Sequence, residues 1–304
     1  MKIVNILSKS LNKTSLGILL YLCGMVFTVL LNVFLKKAIK VYSIPTWETL
    51  FIRQSIIVIF LLPLIIKSKF KFFKKEQWKP NVFRNLLFTF STFLLYFGLS
   101  QVPVNEATSI TFLVPIIGSI LAIKFLGEKS SKSIWIALIL SVCGVCVIKQ
   151  PGFDNNSANI GYIALLLCAL IRGYIVILNK KLATKFDTNT ILYYTHIVML
   201  FISFFFVLLS YYQGTFVIPC MTAILYISFA SLLFFLEYWF IFKAYKLCKV
   251  VVLQPIEFSR IIMAMILGYL ILDEAISMRQ CVGAGIIIAG FCVMLFGKNI
   301  ISKK

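Results

Sequence analysis

Acidic side chains are scarce in this chain. Ten Asp and Glu stand against 30 Lys and Arg, and there is one histidine among 304 residues. A lone histidine cannot build a typical metal site. Asp154, Asp187 and Asp273 all fall between apolar stretches, so no pair of intramembrane aspartates is available for catalysis. Neither H-E-x-x-H nor G-x-S-x-G occurs, which removes the usual metallopeptidase and serine-hydrolase plans, and without G-x-x-x-x-G-K-[ST] nothing cradles a nucleoside triphosphate. The sequence calls for no cofactor and no metal, and it does not read as an enzyme. Linkers rich in Pro, Gly or Ser are missing as well, so no separate soluble domain is expected.

Polar surface is the next shortage. With 61% hydrophobic and 13% charged residues and a mean hydropathy of +0.99, the chain cannot cover a soluble globule. Windows of about 20 apolar residues, the length that crosses a bilayer core, fall near 15–35, 47–66, 83–101, 105–126, 133–149, 160–179, 190–211, 221–242, 250–272 and 280–297. The simplest reading is an all-α membrane protein with ten transmembrane helices. With the N-terminus inside, 22 basic residues fall in cytoplasmic segments and 5 outside, the positive-inside asymmetry that places both termini in the cytoplasm. Basic residues spread in this way, not gathered on a folded polar domain, argue against nucleic acid as a partner. The densest cluster, Lys67 to Arg84, is read as fixing topology and meeting lipid headgroups. Lys2, Lys9 and Lys13 before the first window resemble an uncleaved signal-anchor. The preference for Lys, 25 against 5 Arg, suggests an AT-rich genome, and a bacterial inner membrane fits both observations. Cys143 and Cys146 have C-x-x-C spacing but lie in hydrocarbon, where a thiolate is disfavoured, so packing is their expected role.

The chain is one design used twice. Glu128 and Glu274 lie 146 residues apart, each two places after a leucine (Leu126, Leu272), and each is followed by a Gly-x-Cys-Val run at Gly144 and at Gly290. Gly17 is echoed by Gly161, and Lys36-Lys37 by Lys180-Lys181. Five spans per copy is an odd number, so the copies, residues 1–150 and 151–304, are expected to insert upside down relative to each other, as in many secondary transporters. The tenth span presents Gly283, Gly285, Ala289, Gly290 and Gly297, small residues suited to a packing seam or a homodimer contact.

A charge inside a bilayer costs a few kcal/mol by lenient scales and needs a partner, water or a route out. Counted at about 1.5 Å per residue, Arg172, Glu237 and Glu257 reach a similar depth, with Arg260 one turn deeper. They come from the sixth, eighth and ninth spans and could neutralise one another, either as a structural cluster or as a gating and binding set. Glu237 is the expected proton carrier, and Tyr238 and Trp239 beside it suit an organic cation or zwitterion. At the repeat offset Ser91 matches Glu237, Thr108 matches Gln254 and Thr111 matches Glu257, so the same positions are polar in both copies. Asn32, Tyr193, Tyr194 and His196 are further polar tenants, His196 being read as packing or interface; Arg53 lies close enough to the outer edge to snorkel.

The run from Ala107 through Pro115 to Leu126-Gly127-Glu128, echoed at Leu272-Asp273-Glu274, resembles the two EamA-type repeats of the drug/metabolite transporter superfamily. The resemblance covers essentially the whole chain. It implies a ten-helix carrier with a cavity lined by the first, third, fourth, sixth, eighth and ninth spans, and with the fifth and tenth as outer support. Ile261 stands where a proline would match Pro115, Asp273 replaces a glycine, and Pro255 is displaced. Glu128 and Glu274 are assigned to helix capping and topology. The expectation is a secondary transporter moving a small organic metabolite, amino-acid-like, nucleotide-related or an amphipathic cation or zwitterion. Its candidate site is Glu237, Glu257, Arg260, Arg172, Gln254, Thr108, Thr111, Ser91 and Tyr238. A channel, or a lipid-handling or scaffold protein, is the alternative.

Overall fold

A computed structural model describes residues 12–42, 44, 46–67, 75–101, 110–149, 159–272 and 276–296. Among these the chain is all-helical: α1 (Lys13–Tyr42), α2 (Thr46–Lys67), α3 (Lys75–Gln101), α4 (Leu113–Leu126), α5 (Lys132–Lys149), α6 (Asn159–Lys185), α7 (Thr188–Tyr212), α8 (Met221–Leu247), α9 (Val250–Ile256), α10 (Ser259–Leu272) and α11 (Met278–Phe296). Helices are what long apolar runs must form in lipid, because every backbone N–H and C=O has to be paired within its own segment. Among the described residues six stretches are long and apolar enough to cross a membrane: Lys13–Asn32, Ile160–Lys185, Thr188–Tyr212, Met221–Leu247, Val250–Leu267 and Met278–Phe296. Thr108, the loop between the two halves, Asp273 and Glu274 lie outside the described residues.

The ninth expected span is not one continuous α-helix. Pro255 carries no N–H, and from Glu257 to Ile261 the backbone bonds run i to i−3: Glu257 N–H to Gln254 O, Phe258 N–H to Pro255 O, Arg260 N–H to Glu257 O and Ile261 N–H to Phe258 O. A tight turn thus separates α9 from α10, and Glu257 and Arg260 sit on it. Pro115 follows a break of its own: a turn at Phe112 separates the helical residues 110–111 from α4. The proline lies in the first turn of α4, where an absent N–H costs nothing, and its carbonyl accepts the Ser119 hydroxyl at 2.9 Å.

The pairing of helices is symmetric under exchange of the halves. α1 lies along α8 as α6 lies along α3; α4 meets α6 as α10 meets α1; α2 pairs with α7 and α5 with α11. The α5–α11 contact uses the small residues seen in the sequence. A Cβ on Gly144 would come 2.6 Å from the Gly283 carbonyl, and one on Gly290 would come 3.1 Å from the Ala137 carbonyl. Gly283 and Gly290 therefore face α5, while Gly285 and Ala289 remain on the outer side. Cys143, Cys146 and Cys292 are exposed and unpaired on the outer side of this pair. Gly144→Leu is expected to pry α5 from α11, an overpacking cost of about 1–3 kcal/mol. A lower melting temperature in detergent would register it, and an unchanged one would mean that the seam is not tight.

Two faces of the bundle can be told apart by buried carboxylates. Gly127, with φ at 62° in the left-handed region that favours glycine, ends α4. The next residue, Glu128, accepts from the N–H groups of Val250 and Val251, both at 3.0 Å, and so caps α9. Lys180 at the end of α6 donates to the carbonyls of Tyr245 and Cys248, at 2.6 and 2.7 Å. An anion at the start of α9 and a cation at the end of α8 each meet the helix end of opposite polarity. This Glu128 face also holds the starts of α1 and α3, since Gly17 abuts Cys248 and Arg84 bonds Asn179. On the opposite face Glu48, at the start of α2, accepts from Val217 N–H between α7 and α8 with both oxygens at 3.2 Å.

Candidate functional site

Two chambers run through the middle of the bundle and share a waist. The first, about 230 Å³, lies toward the Glu128 face and is lined by α1, α3, α4, α6, α8 and the α9–α10 turn. The second, about 580 Å³, lies toward the Glu48 face, where α2 and α7 add Trp47, Leu50, Arg53, Gln54 and Met199. Thr28, Phe88, Arg172, Glu237, Tyr238 and Arg260 border both. The larger chamber is within the range of small-molecule sites, roughly 300–1,000 Å³. The described residues of α5 and α11 line neither, in keeping with their place outside the bundle.

The waist is built from helices that the sequence leaves far apart. Glu237 is 9% exposed on α8, and its Oε2 has no hydrogen-bond partner among the described residues. Tyr238, next to it, stacks among Phe234 (4.6 Å between centroids) and Phe242 (5.9 Å). Trp239 turns away from the chambers and takes Lys243 over its ring at 5.4 Å. Glu257 and Arg260 form an ion pair at 3.1 Å across the α9–α10 turn, and the Tyr21 hydroxyl on α1 donates to Glu257 at 2.6 Å. The four charges singled out by depth are therefore not one neutral network. Glu257 takes Arg260 and Tyr21, whereas Arg172 has no ion pair among the described residues and its Nε is buried without a hydrogen bond. Depth along a helix set these groups at one level, but the direction in which each side chain points decided the pairing.

Of the other candidates, Gln254 and Thr111 line the first chamber. Ser91 does not line either; it is fully buried where α3 meets α6, donates to the Phe88 carbonyl at 2.8 Å, and offers its own carbonyl to the Cys168 thiol. Arg53 does not snorkel. It is 6% exposed, with its guanidinium 4.0 Å over the Phe234 ring and facing the second chamber. His196 is wholly buried, and its Nδ1 lies 2.8 Å from Gln54 Oε1, which fixes that glutamine at the chamber wall. Asn32 is exposed to the second chamber.

Arg84 is the residue that the sequence reading missed. It belongs to the Lys67–Arg84 cluster, yet α3 begins at Lys75, so Arg84 lies in the third turn of the helix and is 2% exposed. Its Nε donates to Asn179 Oδ1 at 2.8 Å and its Nη1 to Asn85 Oδ1 at 2.6 Å, and it faces the first chamber. The signal was present: Arg84 is the one arginine in a run of lysines, with Asn81 three residues before it and Asn85 directly after it.

The profile of the EamA-like transporter family matches residues 15–150 and again 159–296. Among curated relatives, the S-adenosylmethionine uptake transporter of Rickettsia bellii is 26% identical over 264 residues, 85% of this chain and 87% of that one. The S-adenosylmethionine uptake transporter of Rickettsia conorii is 27% identical, with 84% of each chain covered. The riboflavin transporter of Rhizobium johnstonii is 23% identical over 92% of this chain and 94% of its own. A solved crystal structure superposes with a TM-score of 0.77 over 95% of this chain and 99% of the other at 14% identity, a likeness of fold.

Proposed function

Given that the chain belongs to the EamA-like transporter family and is a multi-pass membrane protein that transports a small organic metabolite, we propose that it carries S-adenosylmethionine or a close chemical relative by alternating access. The observation that carries this reading is the waist: a buried carboxylate, Glu237, with one oxygen uncommitted, sits beside the Tyr238 ring and borders both chambers. A carboxylate next to an aromatic face attracts an organic cation such as a sulfonium or ammonium. The names of the Rickettsia relatives supply the particular molecule, and their alignments extend over most of this chain.

The rest of the scheme is of a piece. Ten spans in two inverted repeats, 1–150 and 151–304, place both termini in the cytoplasm of a bacterium, with the Glu128 face inward and the lysine-rich segments against the inner leaflet of the inner membrane. Glu237, Tyr238, Glu257, Arg260, Arg172, Gln254 and Thr111 form the binding and gating set, with Tyr21 tying α1 to the α9–α10 turn.

Counterflow separates this from its rivals. In proteoliposomes holding unlabelled S-adenosylmethionine, a carrier accumulates external labelled S-adenosylmethionine faster than empty vesicles do. A channel admits label without that acceleration, and a scaffold admits none. Either of the last two results would sink the proposal.

A further inference from the structure

Two guanidiniums in the waist and first chamber have no carboxylate. Arg84 and Arg172 lie against the same ring, their Cζ atoms 5.5 and 5.9 Å from the Phe88 centroid. Among the described residues Glu257 is paired with Arg260 and Glu128 caps α9, and neither Arg84 nor Arg172 forms an ion pair with them or with Glu237, which borders both chambers with one oxygen uncommitted. Aromatic faces offset a little of the burial, about 0.5–2 kcal/mol per contact. They do not replace the counter-ion that a charge at this depth requires.

Arg84 is also held as a receptor is held. Asn179 and Asn85 accept from Nε and Nη1 and fix the plane of the guanidinium, while the second Nη nitrogen makes no hydrogen bond to any described residue. A guanidinium presents five N–H donors in a rigid fork matched to two anionic oxygens. Asn85 is itself anchored, donating to the Asn81 carbonyl at 2.9 Å. Residues seven apart on α6 put Arg172 and Asn179 on one side of that helix, two turns apart, both toward the first chamber.

We infer that the transported molecule brings an oxyanion, a carboxylate or a phosphate, and that Arg84, oriented by Asn179 and assisted by Arg172, is the subsite that takes it. Glu237 then faces the opposite, cationic part of the same molecule. A purely cationic amphiphile is excluded as the physiological cargo, because it would leave the buried Arg84 and the half-buried Arg172 unneutralised and bring further positive charge. This rests on the reading of the chain as a metabolite carrier, and it holds whether or not that metabolite is S-adenosylmethionine.

The test is thermal melting of the purified full chain with matched ligand pairs: S-adenosylmethionine and its decarboxylated analogue, ornithine and putrescine, AMP and adenosine. In at least one pair the oxyanion-bearing member is expected to bind more tightly by roughly tenfold to a hundredfold, the equivalent of a charge-assisted hydrogen bond worth about 1.5–3 kcal/mol. The responding pair tells carboxylate from phosphate. Arg84→Gln should erase the preference and Arg84→Lys should restore part of it. Because Arg84→Gln risks misfolding, Asn179→Asp is the second arm. It supplies a built-in carboxylate at the same 2.8 Å contact, and should raise the melting temperature of the empty protein while abolishing stabilisation by the anion. A silent S-adenosylmethionine pair beside another that responds through Arg84 would sink the substrate proposed above and support this subsite. The subsite is overturned if no oxyanion outperforms its partner in the wild type, if Arg84→Gln keeps the preference, or if Asn179→Asp responds to the anion as the wild type does.

Discussion

Glu128→Ala is expected to be the most destabilising single change on the Glu128 face. The carboxylate accepts two bonds from buried backbone N–H groups, Val250 and Val251, and both valines are fully buried. An alanine leaves two donors with neither protein nor water, at about 1–3 kcal/mol each, and takes the negative charge away from Lys180. Removing one partner of a buried charged contact costs about 3–5 kcal/mol in all. Glu128→Gln keeps an amide oxygen that can accept one of the two bonds, so it should recover about half of the loss. Melting of the three proteins in one detergent gives the comparison, and an alanine variant that melts with the wild type would show that the cap bears no weight. Because the capped turn carries Tyr245 on one side and Gln254 on the other into the first chamber, uptake should fall with the alanine variant even well below its melting temperature.

Glu237→Gln should leave the fold intact and cut transport by roughly tenfold to a hundredfold, the scale of a lost charge-assisted contact. The amide is the same shape but carries no charge at any pH. Whatever dependence of uptake on pH arises from a proton cycling on this carboxylate must then vanish, so that the variant's uptake is flat across the range in which the wild type varies. Glu257→Gln makes the contrast, since Glu257 already has Arg260 and the Tyr21 hydroxyl. Its loss should disturb the α9–α10 turn and lower the melting temperature, which Glu237→Gln should not. If Glu237→Gln kept the full rate and the wild-type pH profile in proteoliposomes, the proton-carrying role would be finished.

Much of this site could be read from spacing, because position along a membrane helix is countable. A fixed rise per residue put Arg172, Glu237 and Glu257 at one level, and the structure gathers them around one cavity with Arg260 and Tyr238. Direction around the helix axis is what the sequence conceals when nearly every position is apolar. Ser91 is at a suitable depth but turns into the α3–α6 contact, and Arg53, near an end, points inward at Phe234. Arg84 was hidden for a different reason. The lysines before it mark the membrane surface, yet α3 runs on through them from Lys75, so a residue counted with the loop lies inside the bundle. The break between α9 and α10 was legible only as Pro255, whose missing N–H does not by itself tell that the tight bonding extends to Ile261.

The crossed pairing of the halves also governs how the protein is made. α1 is finished at Tyr42, but the helix it lies against most extensively, α8, ends at Leu247, about 200 residues later. At roughly 5–20 residues per second of synthesis, α1 waits on the order of 10–40 s in the membrane with its main contact face open to lipid. Gly17 and Gly24, which rest directly on Cys248 and Ile241 in the finished bundle, have nothing to rest on during that interval. The first half alone is thus an unfinished object, open to insertase, quality-control protease or the wrong neighbour until α8 arrives.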